Sequence, residues 1–355
     1  MNTKLVYVLT CAPEATYIEQ ALMAVFSARH WNPAAHIVLI VDDLTDTLFV
    51  GKRAEILDYI TEKIVIPFDD ATLSPMYRSR WIKTSVRRLI TGDFLFIDCD
   101  TICCADLSDV DDFQFEIGAV GDNNTSFQND LFKNDTIKQV SPLCDISNEE
   151  YYFSSGVMFC KDTSSVYKLY DLWHKYWELG LKENINIDQP SLAKANIELE
   201  HIIDLIDDKY NCVLYTQTSK LPNAVILHIS NFPQTSFLFK YNVLKIIRES
   251  GLKPWVKELI LQIHTTYLPF DYHIRNSSLK QRFRWIEMNS FSAKIYHNNV
   301  NNKFSDWCFR VSIEPIVKLA LNMRFYKLGL SLWMIWKRLS LLKKNYLRSN
   351  ICSSK

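Results

Sequence analysis

Over its first hundred residues the chain alternates short apolar runs with segments of helical apolar spacing, and this alternation constrains the fold more than any other feature. Leu5–Leu9, His36–Val41, Lys63–Ile66 and Phe94–Ile97 are rich in β-branched and aromatic residues and read as strands. Between them, Tyr17 to Arg29 carries Ile18, Leu22, Val25 and Phe26 at helical spacing. Arg53 to Ile60 reads as a helix, and Tyr77 to Ile90 as a helix closed by Gly92. A β-α-β-α-β-α-β order predicts a mostly parallel, doubly wound α/β sheet. Such sheets bind ligands at the carboxyl ends of their strands.

The fourth strand runs straight into Asp98-Cys99-Asp100-Thr101. In an extended segment residues i and i+2 point the same way, so the two carboxylates are expected to converge at the strand's end. Two hard oxygen ligands at one spot suit Mg2+ or Mn2+, ions that commonly sit beside substrate phosphates. An Asp at a strand end is also an ordinary turn-former. The same four residues match the DxDxT pattern of haloacid-dehalogenase-type phosphatases, in which the first Asp is a nucleophile. There the motif follows the first strand, whereas here three strands precede it. Just upstream, Arg80 and Lys83 share one face of one helix and could hold a diphosphate or a sugar beside the metal. Arg87 and Arg88 read equally well as a solvated helix face.

Farther along, Ile117–Val120 reads as a strand, followed by an Asn- and Asp-rich stretch from Asp122 to Asp135 long enough for a lid or acceptor loop. Phe153–Phe159 reads as a strand carrying Ser154-Ser155-Gly156. Val166–Leu179 reads as a helix, and Asp188-Gln189-Pro190 opens another. Val225–Ile229 is a last strand, with His228 near its end. From about residue 240 basic, aromatic, helix-like segments take over. We therefore expect a domain over 1–240 and a helical region over 241–355.

In this order the motifs resemble glycosyltransferases of the GT-A fold, most closely family eight, which holds glycogenin and bacterial lipopolysaccharide hexosyltransferases. The resemblance covers residues 3–231. It implies that Asp98, Asp100 and His228 ligate Mn2+ or Mg2+ with the diphosphate of a nucleotide-sugar. Thr10 and Asp42 or Asp43 would contact the nucleoside, and Tyr17 would stack on the base. Arg80 and Lys83 would engage the donor, Ser155 and Gly156 would line its sugar pocket, and Asp188 and Gln189 would flank the anomeric carbon. His228 has a plainer reading as a buried strand histidine, and Asp188 as a helix N-terminal acid. The chain departs from the family where Ser154 replaces an Asn before Ser-Gly. The short Gly-x-Lys-Pro-Trp segment that follows the family's last His is also missing. The implied activity is transfer of a hexose, from UDP-hexose, to a glycan such as lipopolysaccharide or capsule, with retention. The alternatives are the phosphatase and a catalytically idle sugar-binding module.

Composition sets the remaining bounds. With 48% hydrophobic and 23% charged residues in 355, a packed core is expected and wholesale disorder is not. Net charge is zero but uneven: residues 1–160 hold 12 Lys+Arg and 24 Asp+Glu, and after Glu314 nine Lys/Arg face no acid. Residues 315–355 add Trp333, Trp336 and Tyr346 to those charges, which suits an amphipathic helix on an anionic membrane surface and a lipid-linked glycan acceptor. The plainer reading is a helical cap with a solvated basic face. No nucleic-acid-binding motif accompanies the charge, so nucleic acid is not an expected partner. The nine cysteines are odd in number and without framework spacing, and they read as reduced thiols of a cytoplasmic protein, peripheral on the inner face of the cell membrane. Cys99, Cys103 and Cys104 lack the paired CxxC spacing of a zinc site. No signal peptide and no spanning stretch is expected.

Overall fold

Strands covered on both faces read as unbroken apolar runs, and β1 (Lys4–Leu9) and β2 (Ile37–Asp42) are such strands, buried almost without interruption. The structure, a computed structural model, describes residues 1–70, 72–130, 132–213, 223–229, 243–266, 268–270 and 284–286. Met1–Trp285 form one compact unit and Ile286–Lys355 a second. Beyond Ile286 the second unit lies outside the described residues, and with it the basic segment 315–355.

Helix α1 (Tyr17–Trp31) links β1 to β2, and β3 (Glu62–Ile66) follows at the sheet's edge. Helix α2 (Pro75–Leu89) starts where sequence chemistry asks it to. The Ser74 hydroxyl accepts the Tyr77 N–H at 3.1 Å, and Pro75 occupies the first turn. Then come β4 (Phe94–Ile97), β5 (Thr101–Cys103), β6 (Ile117–Gly121), α3 (Lys133–Val140), β7 (Phe153–Cys160), α4 (Ser164–Lys182) and α5 (Gln189–Glu198). The strands β8 (Asp204–Leu205), β9 (Cys212–Val213) and β10 (Ile226–His228) precede helices α6 (Val243–Ser250) and α7 (Pro254–Thr266).

Seven strands form the main sheet in the order β3-β2-β1-β4-β7-β6-β8. Only β7 runs against its neighbours, so the sheet is mostly parallel, as expected. The chain leaves β1 on one side to build β2 and β3, then returns on the other side as β4. The gap between β1 and β4 is thus the topological switch point, where the outgoing loops part and leave a crevice. One face is covered by α2 and α4, with Ile82, Val86 and Trp173 packed over Val6, Val38, Phe96 and Met158. On α1, residues 18–28 are all buried. Its Glu19 is clamped by Arg53 at 2.7 Å and by Arg248 of α6 at 3.0 Å.

A second sheet, β5-β10-β9, pairs β10 antiparallel with β5 and parallel with β9. β5, β8 and β9, of two or three residues, carry no readable period and are invisible in the sequence, whereas β10 lies within the longer apolar run Val225–Ile229. Two expectations change. Gly51–Asp58 is a 3-10 helix rather than an α-helix over Arg53 to Ile60; only its Ile56 is buried, so no apolar stripe holds a wider turn against the core. The stretch after Asp122 is not one open loop: two 3-10 turns lead into α3. Among the described residues no helix is long and apolar enough to cross a membrane, and the seven described cysteines form no disulfide.

The fully buried Asp42 closes β2. It accepts the Thr45 N–H at 2.6 Å, capping a one-turn helix, and pairs with Arg78 of α2. Removing one partner of a buried pair strands the other charge, at about 3–5 kcal/mol. Arg78→Ala is expected to lose about that much in urea unfolding, and a loss below about 1 kcal/mol would show that the pair is not a structural tie.

Candidate active site

The two acids of Asp98-Cys99-Asp100 lie in a tight turn between β4 and β5, not on an extended segment. This corrects the basis on which they were expected to converge, though not the convergence. The turn is held by its own backbone and side chains. Thr101 Oγ1 donates to the Asp98 carbonyl at 2.8 Å. The Asp98 N–H donates to the Gly156 carbonyl, and the Ile229 N–H to the Asp100 carbonyl, both at 2.8 Å. Strand β10 pairs with β5 in a register that sets His228 opposite Thr101. Asp98, Asp100 and His228 thereby present ligand atoms within 4.8 Å of one another, the one such group among the described residues.

A divalent ion fits this donor set. Two carboxylates and an imidazole converge at the carboxyl end of β4, beside the switch point. His228 Nε2 lies 3.1 Å from Asp100 Oδ1, while Nδ1 is taken by Asn211 Oδ1 at 2.9 Å. Burial alone would raise Asp100, but the charge and hydrogen bond of His228 hold it below the ordinary carboxylate range. Burial pushes Asp98 up, aided by Asp100 and opposed by Lys83. Burial would lower His228, yet Asp100 and Asp98 raise it.

Gly156 shows why the chain needs a residue without a side chain there. A Cβ at this position would stand 2.6 Å from His228 Cε1 and 3.1 Å from Asp98 Oδ2. The space beside Gly156 is filled by the side chains of His228 and Asp98.

Behind the acids sits a buried charge network. Lys83 is 2% exposed; its Nζ reaches Asp98 Oδ1 at 3.0 Å, Ser155 Oγ at 3.2 Å and Asp188 Oδ2 at 3.3 Å. Asp188 also accepts from Ser155 Oγ at 2.8 Å and lies 2.8 Å from Arg80 Nε, an ion pair without hydrogen-bond alignment. Burial would raise Asp188, but Lys83 and Arg80 hold it far below the ordinary range. Its backbone is pinned as well: the carbonyl accepts from Trp173 Nε1 at 2.8 Å and from Ser191 Oγ at 2.6 Å. Asp188 thus orients two cations. Lys83 is fully engaged within the protein, whereas the Arg80 side chain, 29% exposed, lines the cleft.

That cleft, of about 280 Å3, opens between the ends of β1 and β4. It brings together Thr10, Tyr17, Arg80, Asp98 and Asp100 from the sequence expectations, with Gln20 and Met76 added. Tyr17 is 53% exposed at its edge, while Thr10 donates to the Pro75 carbonyl at 2.5 Å. Asp42 and Asp43 are not among its lining. Gln20 follows Tyr17 by nearly one helical turn, and that spacing was the only sequence signal for it. Gln189 Nε2 is buried without a hydrogen-bond partner, although the side chain is near enough to Asp122 to favour that acid's charged form.

No family model matches the chain, and no curated relative does. Among solved structures it is similar to apo mouse xyloside xylosyltransferase 1, at 15% identity over 65% of this chain and 99% of that one, with a TM-score of 0.44. It is similar to the galactosyltransferase LgtC in complex with donor and acceptor sugar analogs, at 13% identity over 64% and 87%, TM-score 0.44. It is also similar to the apo WbbM bifunctional glycosyltransferase, at 15% identity over 72% and 51%, TM-score 0.45. TM-scores below 0.5 leave the residues themselves to decide the chemistry.

Asp122 yields a pH test. Burial, reinforced by Asp130, pushes its carboxyl up to about 6. A group that holds its proton more tightly in the folded state contributes stability below its unfolded value, near 4, and loses it as pH rises through about 6. Asp122→Asn is therefore expected to gain stability over the wild type at pH 7 relative to pH 4 in urea unfolding. An equal difference at both pH values would refute the buried-acid assignment.

Proposed function

We propose that this chain is a metal-dependent glycosyltransferase of GT-A architecture that moves a hexose from a nucleotide-sugar, UDP-hexose, to a glycan such as lipopolysaccharide or capsule. The observation that carries this reading is the Asp98–Asp100–His228 group at the switch point, opening onto a cleft with Arg80 on its wall and Tyr17 at its mouth. Asp98, Asp100 and His228 would hold a divalent ion, and an imidazole beside two carboxylates favours Mn2+ over the all-oxygen preference of Mg2+. When bound, such an ion neutralises charge building on a departing diphosphate.

The chain's own residues do the rest. Arg80, fixed from behind by Asp188, turns its guanidinium toward the same developing charge, already oriented before reaction. Lys83 keeps Asp98 and Asp188 together and leaves the cleft to Arg80. Tyr17 offers an exposed ring for a base to stack on, and Thr10 and Gln20 offer polar groups beside it. Gln189 lies beside Asp122, and an amide or carboxylate oxygen suits an oxocarbenium-like sugar. Retention follows from the family resemblance.

The deciding measurement is a thermal shift with UDP, GDP, CMP and inorganic phosphate, each with and without Mn2+. A UDP response that needs Mn2+ and disappears in Asp100→Ala is expected. Binding of phosphate mimics with no nucleotide response would overturn the transferase reading in favour of a phosphatase.

We further propose that residues 315–355 hold the protein peripherally on the cytoplasmic face of an anionic membrane, near a lipid-linked acceptor. Full-length protein is expected to float with phosphatidylglycerol vesicles while a version ending at residue 314 stays behind. Equal flotation of the two would reject this role.

A further inference from the structure

One side chain that touches the metal group belongs to none of the motifs above. Asn211 is fully buried, and its Oδ1 stands 2.9 Å from His228 Nδ1. Its Nδ2 lies 2.9 Å from Ser154 Oγ, which also accepts the Gly156 N–H at 3.3 Å. In this orientation Nδ2 donates to the serine oxygen and Oδ1 faces the ring, and a carbonyl oxygen only accepts. A His228 ring that gives its Nε2 lone pair to an ion where the three ligand atoms converge must carry its proton on Nδ1, and Asn211 Oδ1 is the acceptor that meets it there.

The backbone behind Asn211 is held just as firmly. The Asn211 carbonyl accepts from Asn124 Nδ2 at 2.8 Å, and Asn124 Oδ1 accepts the Val213 N–H at 2.6 Å. Asn124 is 1% exposed and adopts a φ of +54°, a left-handed conformation that Asn tolerates better than most residues. Two buried amides thus run from the end of β6 through β9 to the imidazole on β10.

We propose that Asn211 is a positioning residue that fixes the tautomer and ring orientation of His228, with Ser154 as its anchor. The inference rests on the metal-centre reading above. It also gives Ser154 a use: where the family carries an amide in the chain ahead of Ser-Gly, this protein has a hydroxyl that receives an amide from the residue just before β9.

Outer partners of metal-ligating histidines are worth about 10–100-fold in metal affinity. Binding of Mn2+ to the full chain, followed by electron paramagnetic resonance with and without UDP, is therefore expected to weaken by about that factor in Asn211→Leu. Asn211→Asp keeps an acceptor toward Nδ1 and is expected to stay within about threefold of the wild type, a margin of roughly 0.6 kcal/mol that separates it from the apolar variant.

Unchanged Mn2+ affinity in Asn211→Leu would overturn the proposal. So would an Asn211→Asp variant as weak as Asn211→Leu, since an acceptor toward Nδ1 would then not be what supports binding. If the wild type binds no Mn2+ under either condition, the metal centre itself falls and the positioning role with it. That result is distinct from a wild type that binds and a variant that does not differ.

Discussion

A single buried ammonium ties the working end of this molecule together. Lys83 lies inside the protein with its Nζ near Asp98, Asp188 and Ser155, and 4.9 Å from the Phe96 ring centre. A charge removed from water is tolerated only when it is matched, and here Asp98 and Ser155 accept from the ammonium while Asp188 pairs with its charge. They come from the turn after β4, from the start of α5 and from β7, while the lysine comes from α2. Folding cannot bury the lysine without bringing those four elements to one point. The two acids of the turn are held there as a consequence.

The network also divides labour among like residues. Asp98 and Asp100 converge with His228, whereas Asp188, as acidic and more deeply buried than either, is consumed in holding Lys83 and Arg80. Arg80 and Lys83 occupy the same helix face, yet only Arg80 lines the cleft. Asp42 looked equivalent to Thr10 as a strand-end contact for a ligand. It is instead spent on Arg78 and on capping a turn, while Thr10 and Gln20 reach the cleft wall. Residue type and strand-end position do not separate these fates, because each depends on which cation or N–H group tertiary packing brings alongside.

Much of the architecture was legible. The parallel strands and α1 and α2 carry periods long enough to read, and Ser74-Pro75 marks the start of α2 by its own capping chemistry. The acidic pair was visible for a reason that proved different in detail. It converges because a closed turn holds it, with Thr101 bonded back to Asp98, rather than because alternate residues of a strand share a face. The Gly51–Asp58 helix differs in type because only its Ile56 is buried, which helical spacing alone does not reveal. Asn211 escaped notice entirely: it ends a short 3-10 helix and precedes a two-residue strand, and nothing local distinguishes it from any other asparagine.

By itself, then, the sequence determined the class of sheet and the presence of two carboxylates at the end of β4. Each of these follows from contacts between near neighbours or from the handedness of β-α-β crossovers. Only the tertiary structure decided that His228 completes the group, that Gly156 must lack a side chain, that Asp188 serves Arg80, and that Asn211 faces the imidazole. These contacts join residues 17 to 128 positions apart. No periodicity spans such separations, and their partners are chosen by the register of β5 with β10 and by the need to leave no buried charge unmatched.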